Sequence, residues 1–164
     1  CIRDRSYKNQ VAKKYDRSLT GKRVKGEKLL FLGTGAIAQK TAYLAQAFGM
    51  KVIGISKFGK EKEHFDEIFS LDKLDKVIDD ADIIVNSLPE TKETIHLLQR
   101  GDFEKMKDDA LFINIGRGTI VDEQVMVNVL KDKLIRHAYL DVFENEPLNS
   151  DNSLYELNLS LIHI

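Results

Sequence analysis

Short apolar runs that end at glycine or proline alternate along this chain with stretches whose apolar residues recur every three or four positions. "KLLFL" (28–32) is the first run and stops at Gly33. "GAIAQKTAYLAQAFG" follows, with Ile37, Thr41, Leu44, Ala45 and Phe48 on one helical face and Gly49 as a stop. "KVIGIS" reads as a strand. "SLDKLDKVIDDA" reads as a helix, with Leu74, Val77 and Ile78 at helical spacing and Asp72 able to cap it. "DIIVNSLP" is a strand ended by Pro89, and "ALFINIG" is another ended by Gly116. "VDEQVMVNVLKDK" is a helix with Asp122 as cap and with Val125/Val129 and Met126/Leu130 four apart. "HAYLDVFE" is a further strand. Residues 6–25 are polar and in part helical, with Tyr15 their main apolar anchor.

The runs lack polar alternation, so both faces of the sheet are covered. Strands alternating with helices mean βαβ units and parallel pairing. The pattern therefore predicts an α/β fold of the Rossmann type, a doubly wound parallel sheet in three αβα layers.

Composition changes this picture little. The 164 residues are 43% hydrophobic and 31% charged, enough for one domain with its own core. A net charge of −1 gives no reason to expect nucleic acid or an anionic membrane as partner. No apolar run approaches the roughly 18 residues of a membrane span. The polar start has no leader character, and the single cysteine, Cys1, fits a cytoplasmic setting.

The chemistry begins at Gly33-x-Gly35-x-x-Ala38, between a strand and a helix. In that context the loop is a phosphate cradle. Gly33 allows the tight turn, Gly35 lets a pyrophosphate approach the backbone, and Ala38 permits close helix–strand packing. Ala36 and Ile37 open the helix whose free N–H groups would face the phosphates. The end of the second strand usually carries an acid that grips the ribose 2′-OH of NAD. Here Ser56 stands in that place, with Lys57 and Lys60 after it. A hydroxyl and two ammonium groups attract a 2′-phosphate, so NADP(H) is favoured and NAD(H) remains possible.

Three later stretches, "NSLPETKETIHLL", "FINIGRGTIVDEQVM" and "YLDVFENEPL", follow the glycine loop in this order. Together they resemble the nucleotide-binding domain of the D-isomer-specific 2-hydroxyacid dehydrogenases, over about residues 20–156. The resemblance implies hydride transfer between NAD(P) and a small 2-keto/2-hydroxy acid pair. It implies that Arg117 holds the substrate carboxylate, a task suited to a planar guanidinium. It implies that Glu146 holds the catalytic histidine and favours its charged form. It sets Asn86, Leu88, Pro89, Ile115, Gly116 and Asp141 along the cofactor, and implies a homodimer. The same fold also serves as a dinucleotide-sensing corepressor, a binding module without efficient turnover. No metal is expected. Glu144 reads as a loop residue, and His64, His96 and His137 as surface or helix-end residues.

Both ends of the chain depart from that pattern. A transposon end used to tag DNA for sequencing, TGT ATA AGA GAC AG, encodes Cys-Ile-Arg-Asp and then Arg or Ser. Its opposite strand, CTG TCT CTT ATA CAC ATC, encodes Leu-Ser-Leu-Ile-His-Ile. These match Cys1 to Arg5 and Leu159 to Ile164. The expectation is that residues 6–158 are the natural domain, a fragment of a longer enzyme. On that reading His163 is not the catalytic histidine, and Cys1 says nothing about compartment; the rival reading is a divergent active site with His163 as its acid.

Overall fold

The structure is a computed structural model and describes residues 7, 9–15, 23–157 and 160–161. Among the described residues, seven parallel strands form one sheet in the order β3-β2-β1-β4-β5-β6-β7. They are β1 (Lys28–Leu32), β2 (Lys51–Ser56), β3 (Glu67–Ser70), β4 (Ile83–Asn86), β5 (Leu111–Asn114), β6 (His137–Leu140) and β7 (Ser160–Leu161). Three α-helices connect them: α1 (Ala36–Ala47), α2 (Arg100–Lys105) and α3 (Glu123–Lys131). Ser160 and Leu161 lie in the segment that the boundary reading sets aside, and His163 lies outside the described residues.

The unbroken apolar runs are explained by two cores, one on each face of the sheet. Along β1, Leu29 and Phe31 face α1, while Leu30 and Leu32 face the opposite layer. Successive strand side chains point to opposite faces, so a strand covered twice is apolar throughout. The first core joins Leu29, Phe31, Val52 and Val85 to Ala38, Ala42 and Ala45. The second joins Leu32, Ile55, Ile84 and Phe112 to Ile78, Phe103, Met126 and Val129. Phe103 and Phe112 meet edge to face at 5.4 Å.

Several expected details are corrected. In α1 Ala45 of the expected face is buried, together with Ala38 and Ala42, while Ile37, Thr41, Leu44 and Phe48 are exposed. The tight Gly33 turn drops the helix close onto β1 and β2. Only a row of methyl side chains fits beneath it, so the larger residues turn outward. Residues 71–76 form a 3₁₀ helix rather than an α-helix, and the residue at its cap position is Ser70, not Asp72. Leu71, Leu74 and Val77 are three apart, the repeat of a 3₁₀ turn. Tyr15, expected as an apolar anchor, is 84% exposed rather than buried. The cap of α3 is as expected: Asp122 accepts the Val125 amide at 3.1 Å.

At the amino end of the sheet, Asp82 accepts the Lys28 amide and the Lys107 ammonium, each at 2.8 Å. Asp80 pairs with Lys28 beside it. This network pins the starts of β1 and β4, opposite the edge considered next.

Candidate active site

The strand register carries the candidate residues to one edge. Leu32 is level with Ile55 and Asn86, Asn86 with Asn114, and Asn114 with Leu140. The residues that follow sit together at this edge: Gly33, Ser87, Ile115 and Asp141 are the first beyond their strands, and Ser56 is the last residue of β2. Backbone bonds continue the ladder into these turns. The Gly33 N–H donates to Ile55, Ser87 to Leu32, Ile115 to Asn86 and Asp141 to Asn114, over 2.8–3.1 Å. In open parallel sheets ligands bind outside this carboxyl edge.

Gly33 has φ +99°, a conformation that side chains resist, and a Cβ there would lie 3.0 Å from Ser87 Oγ. Gly35 differs. A Cβ there would meet nothing within 4 Å, so the space above it is open. No side chain caps α1, and its first internal bond runs from the Gln39 N–H to the Gly35 carbonyl. The amides of Ala36 and Ile37 thus stand at an uncapped helix start beside open space. That arrangement fits the pyrophosphate of a dinucleotide.

Ser56 Oγ accepts the Gly59 N–H at 3.1 Å, which leaves the hydroxyl proton free to donate outward. Lys57 and Lys60 are exposed. Lys57 reaches toward Glu93 across 3.8 Å. The Glu93 carboxyl is held below the usual range by a hydrogen bond with the Thr91 side chain, then by its backbone, then by Lys57.

The turns after β4 and β5 are built on two buried amides. Asn86 Nδ2 donates to Asn114 Oδ1 at 2.8 Å, and Asn86 Oδ1 accepts the Leu88 N–H at 3.1 Å. Asn114 Oδ1 also accepts the Gly116 N–H, while its Nδ2 donates to the Arg117 carbonyl at 3.0 Å. Asn86 was expected at this edge; Asn114 was not. Its signal was a polar residue closing a buried strand, in "FINIG". Pro89 leads into a loop fixed by buried Thr94, whose Oγ1 donates to the Pro89 carbonyl and accepts the Thr91 N–H, each at 2.8 Å.

Arg117 is exposed, and its Nη1 donates to the Gly116 carbonyl at 2.8 Å. Next to it the chain touches the turn after β6. A Cβ on Gly118 would lie 1.9 Å from the carbonyl carbon of Phe143, so only glycine lets the two backbones meet. Glu146 is also exposed, and its Oε1 accepts the Phe143 N–H at 2.9 Å. The Arg117 and Glu146 turns are thereby joined through Phe143. Asp141 sits half-buried where β6 ends.

His96 is not the surface residue that was expected. It is half-buried, its Nε2 lies 3.0 Å from Glu144 Oε1, and its backbone N–H donates to the Thr119 carbonyl at 2.7 Å. Glu144 thus pairs with His96, a different histidine from the one that Glu146 is expected to hold. Donor atoms of His96, Asp122 and Glu144 all lie within 4.8 Å of one another. Asp122 is the cap of α3, whose positive end disfavours a cation. Glu144, expected as a solvated loop charge, is half-buried against His96, and its own N–H donates to Glu123 Oε1 at 3.1 Å. His64 is exposed, edge-on to Tyr43 at 5.0 Å, and His137 begins β6.

Among the described residues no helix is long and apolar enough to cross a membrane. Comparison with known proteins agrees with the geometry. Residues 3–163 match the profile of the D-isomer specific 2-hydroxyacid dehydrogenase, NAD binding domain. That span takes in residues that the boundary reading sets aside. A glyoxylate reductase of Aeropyrum pernix is 40% identical over 139 residues, 83% of this chain and 41% of the relative. The chain therefore spans less than half the length of that relative. A D-isomer specific 2-hydroxyacid dehydrogenase family protein from Aeromonas salmonicida superposes with a TM-score of 0.89 at 38% identity, over 94% of this chain and 50% of the other. A probable 2-hydroxyacid dehydrogenase from Rhizobium etli, solved with NADP, HEPES and L(+)-tartaric acid, gives 0.88 at 29% identity, over 96% and 51%.

Proposed function

The chain belongs to the D-isomer specific 2-hydroxyacid dehydrogenases as their NAD binding domain, and on that premise we propose that its parent is a cytoplasmic enzyme exchanging hydride between a nicotinamide dinucleotide and a small 2-keto/2-hydroxy acid. The observation that carries this is the open space over Gly35 beside the uncapped start of α1, at the sheet edge where Arg117 and Asp141 also lie.

The bound dinucleotide supplies the hydride carrier. Gly33, Gly35, Ala36 and Ile37 would hold its pyrophosphate, and Asn86, Leu88, Pro89, Ile115, Gly116 and Asp141 would line the rest. Arg117 would leave the Gly116 carbonyl and grip the substrate carboxylate with two hydrogen bonds. That grip fixes the keto carbon, and a fixed geometry removes much of the entropic barrier. Glu146 would orient the imidazole that gives the proton, a histidine supplied from outside the fragment of residues 6–158. A positioned proton donor is worth roughly a hundredfold or more in rate. This chain alone should therefore bind cofactor and turn over little.

Ser56, Lys57 and Lys60 favour NADP(H), and the Rhizobium etli relative was solved with NADP. A relative named as a glyoxylate reductase makes short 2-keto acids the first substrates to try. The parent is expected to be a homodimer.

The test is to recover the reading frame beyond both ends, express the whole protein and assay 2-keto acid reduction. The proposal expects faster turnover with NADPH than NADH, and loss of at least a hundredfold in kcat/KM in Arg117→Ala. Cofactor binding without turnover of any short 2-keto acid would replace it with a binding module. The same DNA read across both ends shows whether the codons at residues 1–5 and 159–164 are native.

A further inference from the structure

We propose that Glu93 is a specificity-determining residue of the dinucleotide site: its carboxylate competes with a cofactor 2′-phosphate for Lys57. The proposal rests on the dinucleotide reading above and deepens it.

Lys57 is the first residue beyond β2, and Glu93 belongs to the loop that follows β4. In the sheet β1 lies between those two strands. The Lys57–Glu93 pair, 3.8 Å from Nζ to Oε1, therefore spans the carboxyl end of β1, where the Gly33 turn opens. A ribose carried by that turn toward Ser56 must come to this bridge.

The two partners are not equally fixed. Glu93 stands on a built loop: Thr94 ties Thr91 to Pro89, and the Glu93 N–H donates to Thr91 Oγ1 at 3.3 Å. Both side chains are exposed, Lys57 at 70% and Glu93 at 65%, but Lys57 has the longer, more flexible stem, with its Nζ 6.0 Å from the Phe58 ring centroid. The cation has the longer reach, and a stronger anion can draw it away. A phosphate monoester carries about −1.5 to −2 charges at pH 7, against −1 for the carboxylate. NADP(H) displaces Glu93 from Lys57 and bears the cost. NAD(H), with a neutral 2′-OH, leaves the pair in place. Glu93 thus holds the preference for NADP(H) below what Ser56, Lys57 and Lys60 alone would give.

The test is calorimetric titration of NADPH and NADH into the 164-residue chain at low ionic strength, for wild type, Glu93→Gln, Lys57→Ala and the double variant. The quantity read is the NADH-to-NADPH ratio of Kd values. Exposed ion pairs are worth a few tenths to about 1 kcal/mol. Glu93→Gln should raise the ratio about two- to fivefold. The gain should vanish in the Lys57→Ala background and shrink in 0.5 M salt, where the Debye length falls to about 4 Å. A Glu93→Gln chain that binds both cofactors with equally changed affinity overturns the proposal. So does an equal gain with Lys57 absent. A wild-type chain that takes up neither dinucleotide overturns the cofactor reading and this inference with it. Binding with a ratio indifferent to Glu93 overturns the inference alone.

Discussion

The side-chain amide of Asn86 donates to the side-chain carbonyl of Asn114 across 2.8 Å, and both residues are buried. Each amide spends its remaining capacity on the turn that follows its strand, Asn86 on Leu88 and Asn114 on Gly116 and Arg117. Two turns from different crossovers are thereby set at one separation. Asn114→Ala leaves the Asn86 Nδ2 and the Gly116 N–H without their acceptor. Buried unpaired groups cost roughly 1–3 kcal/mol each. We expect about 3 kcal/mol of lost stability in urea unfolding, and NADPH affinity weakened severalfold.

Gly118 meets the Phe143 backbone with no room for a Cβ. Gly118→Ala must drive the Arg117 and Glu146 turns apart. Overpacking of a close contact costs about 1–3 kcal/mol, and more when backbone must move. Gly101→Ala is the control, since a Cβ there meets nothing within 4 Å. Thermal unfolding of the two variants should separate them by several degrees.

The His96–Glu144 contact makes a third prediction. Because the His96 backbone N–H donates to Thr119 while its imidazole meets Glu144, the residue ties the turns after β4, β5 and β6 together. A double-mutant cycle of His96→Ala and Glu144→Ala should give a coupling of about 0.5–1 kcal/mol. Strict additivity would show that the contact contributes nothing.

At the other end of the sheet the prediction concerns pH. The Asp80 carboxyl is held below its ordinary value, first by its hydrogen bond with Lys28 and then by the charges of Lys28 and Lys107. A carboxyl depressed on folding contributes stability above its unfolded pKa and loses it as pH falls through the folded value. The wild type should therefore lose stability on acidification from pH 5 to pH 3. Asp80→Asn should show a shallower fall in Tm over that window, measured by circular dichroism.

Most of the fold was legible because strands buried on both faces print unbroken apolar runs, and "KLLFL" and "KVIGIS" end where their strands end, while "ALFINIG" runs two residues past the end of β5 at Asn114. The site followed from the same ends, since a parallel sheet carries every strand-closing turn to one edge. What stayed hidden depends on tertiary contact. β3 is a four-residue edge strand, "EIFS", with no fully buried side chain. α2 contains Gly101 in only six residues and is held by buried Phe103 rather than by propensity. The outward turn of Ile37, Leu44 and Phe48 follows from how closely α1 approaches the sheet, which spacing alone does not encode. The partners of His96 lie 48 residues away in Glu144 and across a crossover in Thr119, beyond any local pattern.

The central claim is that this chain holds a dinucleotide over Gly35. Titrating NADPH and NADH into wild type and Gly35→Val tests it directly. A valine side chain there meets open space and an ordinary φ of −74°, so the variant should fold as the wild type does. The account predicts saturable one-to-one binding to wild type, tighter for NADPH, and none to a folded Gly35→Val chain. Equal binding by both chains, or by neither, would contradict it.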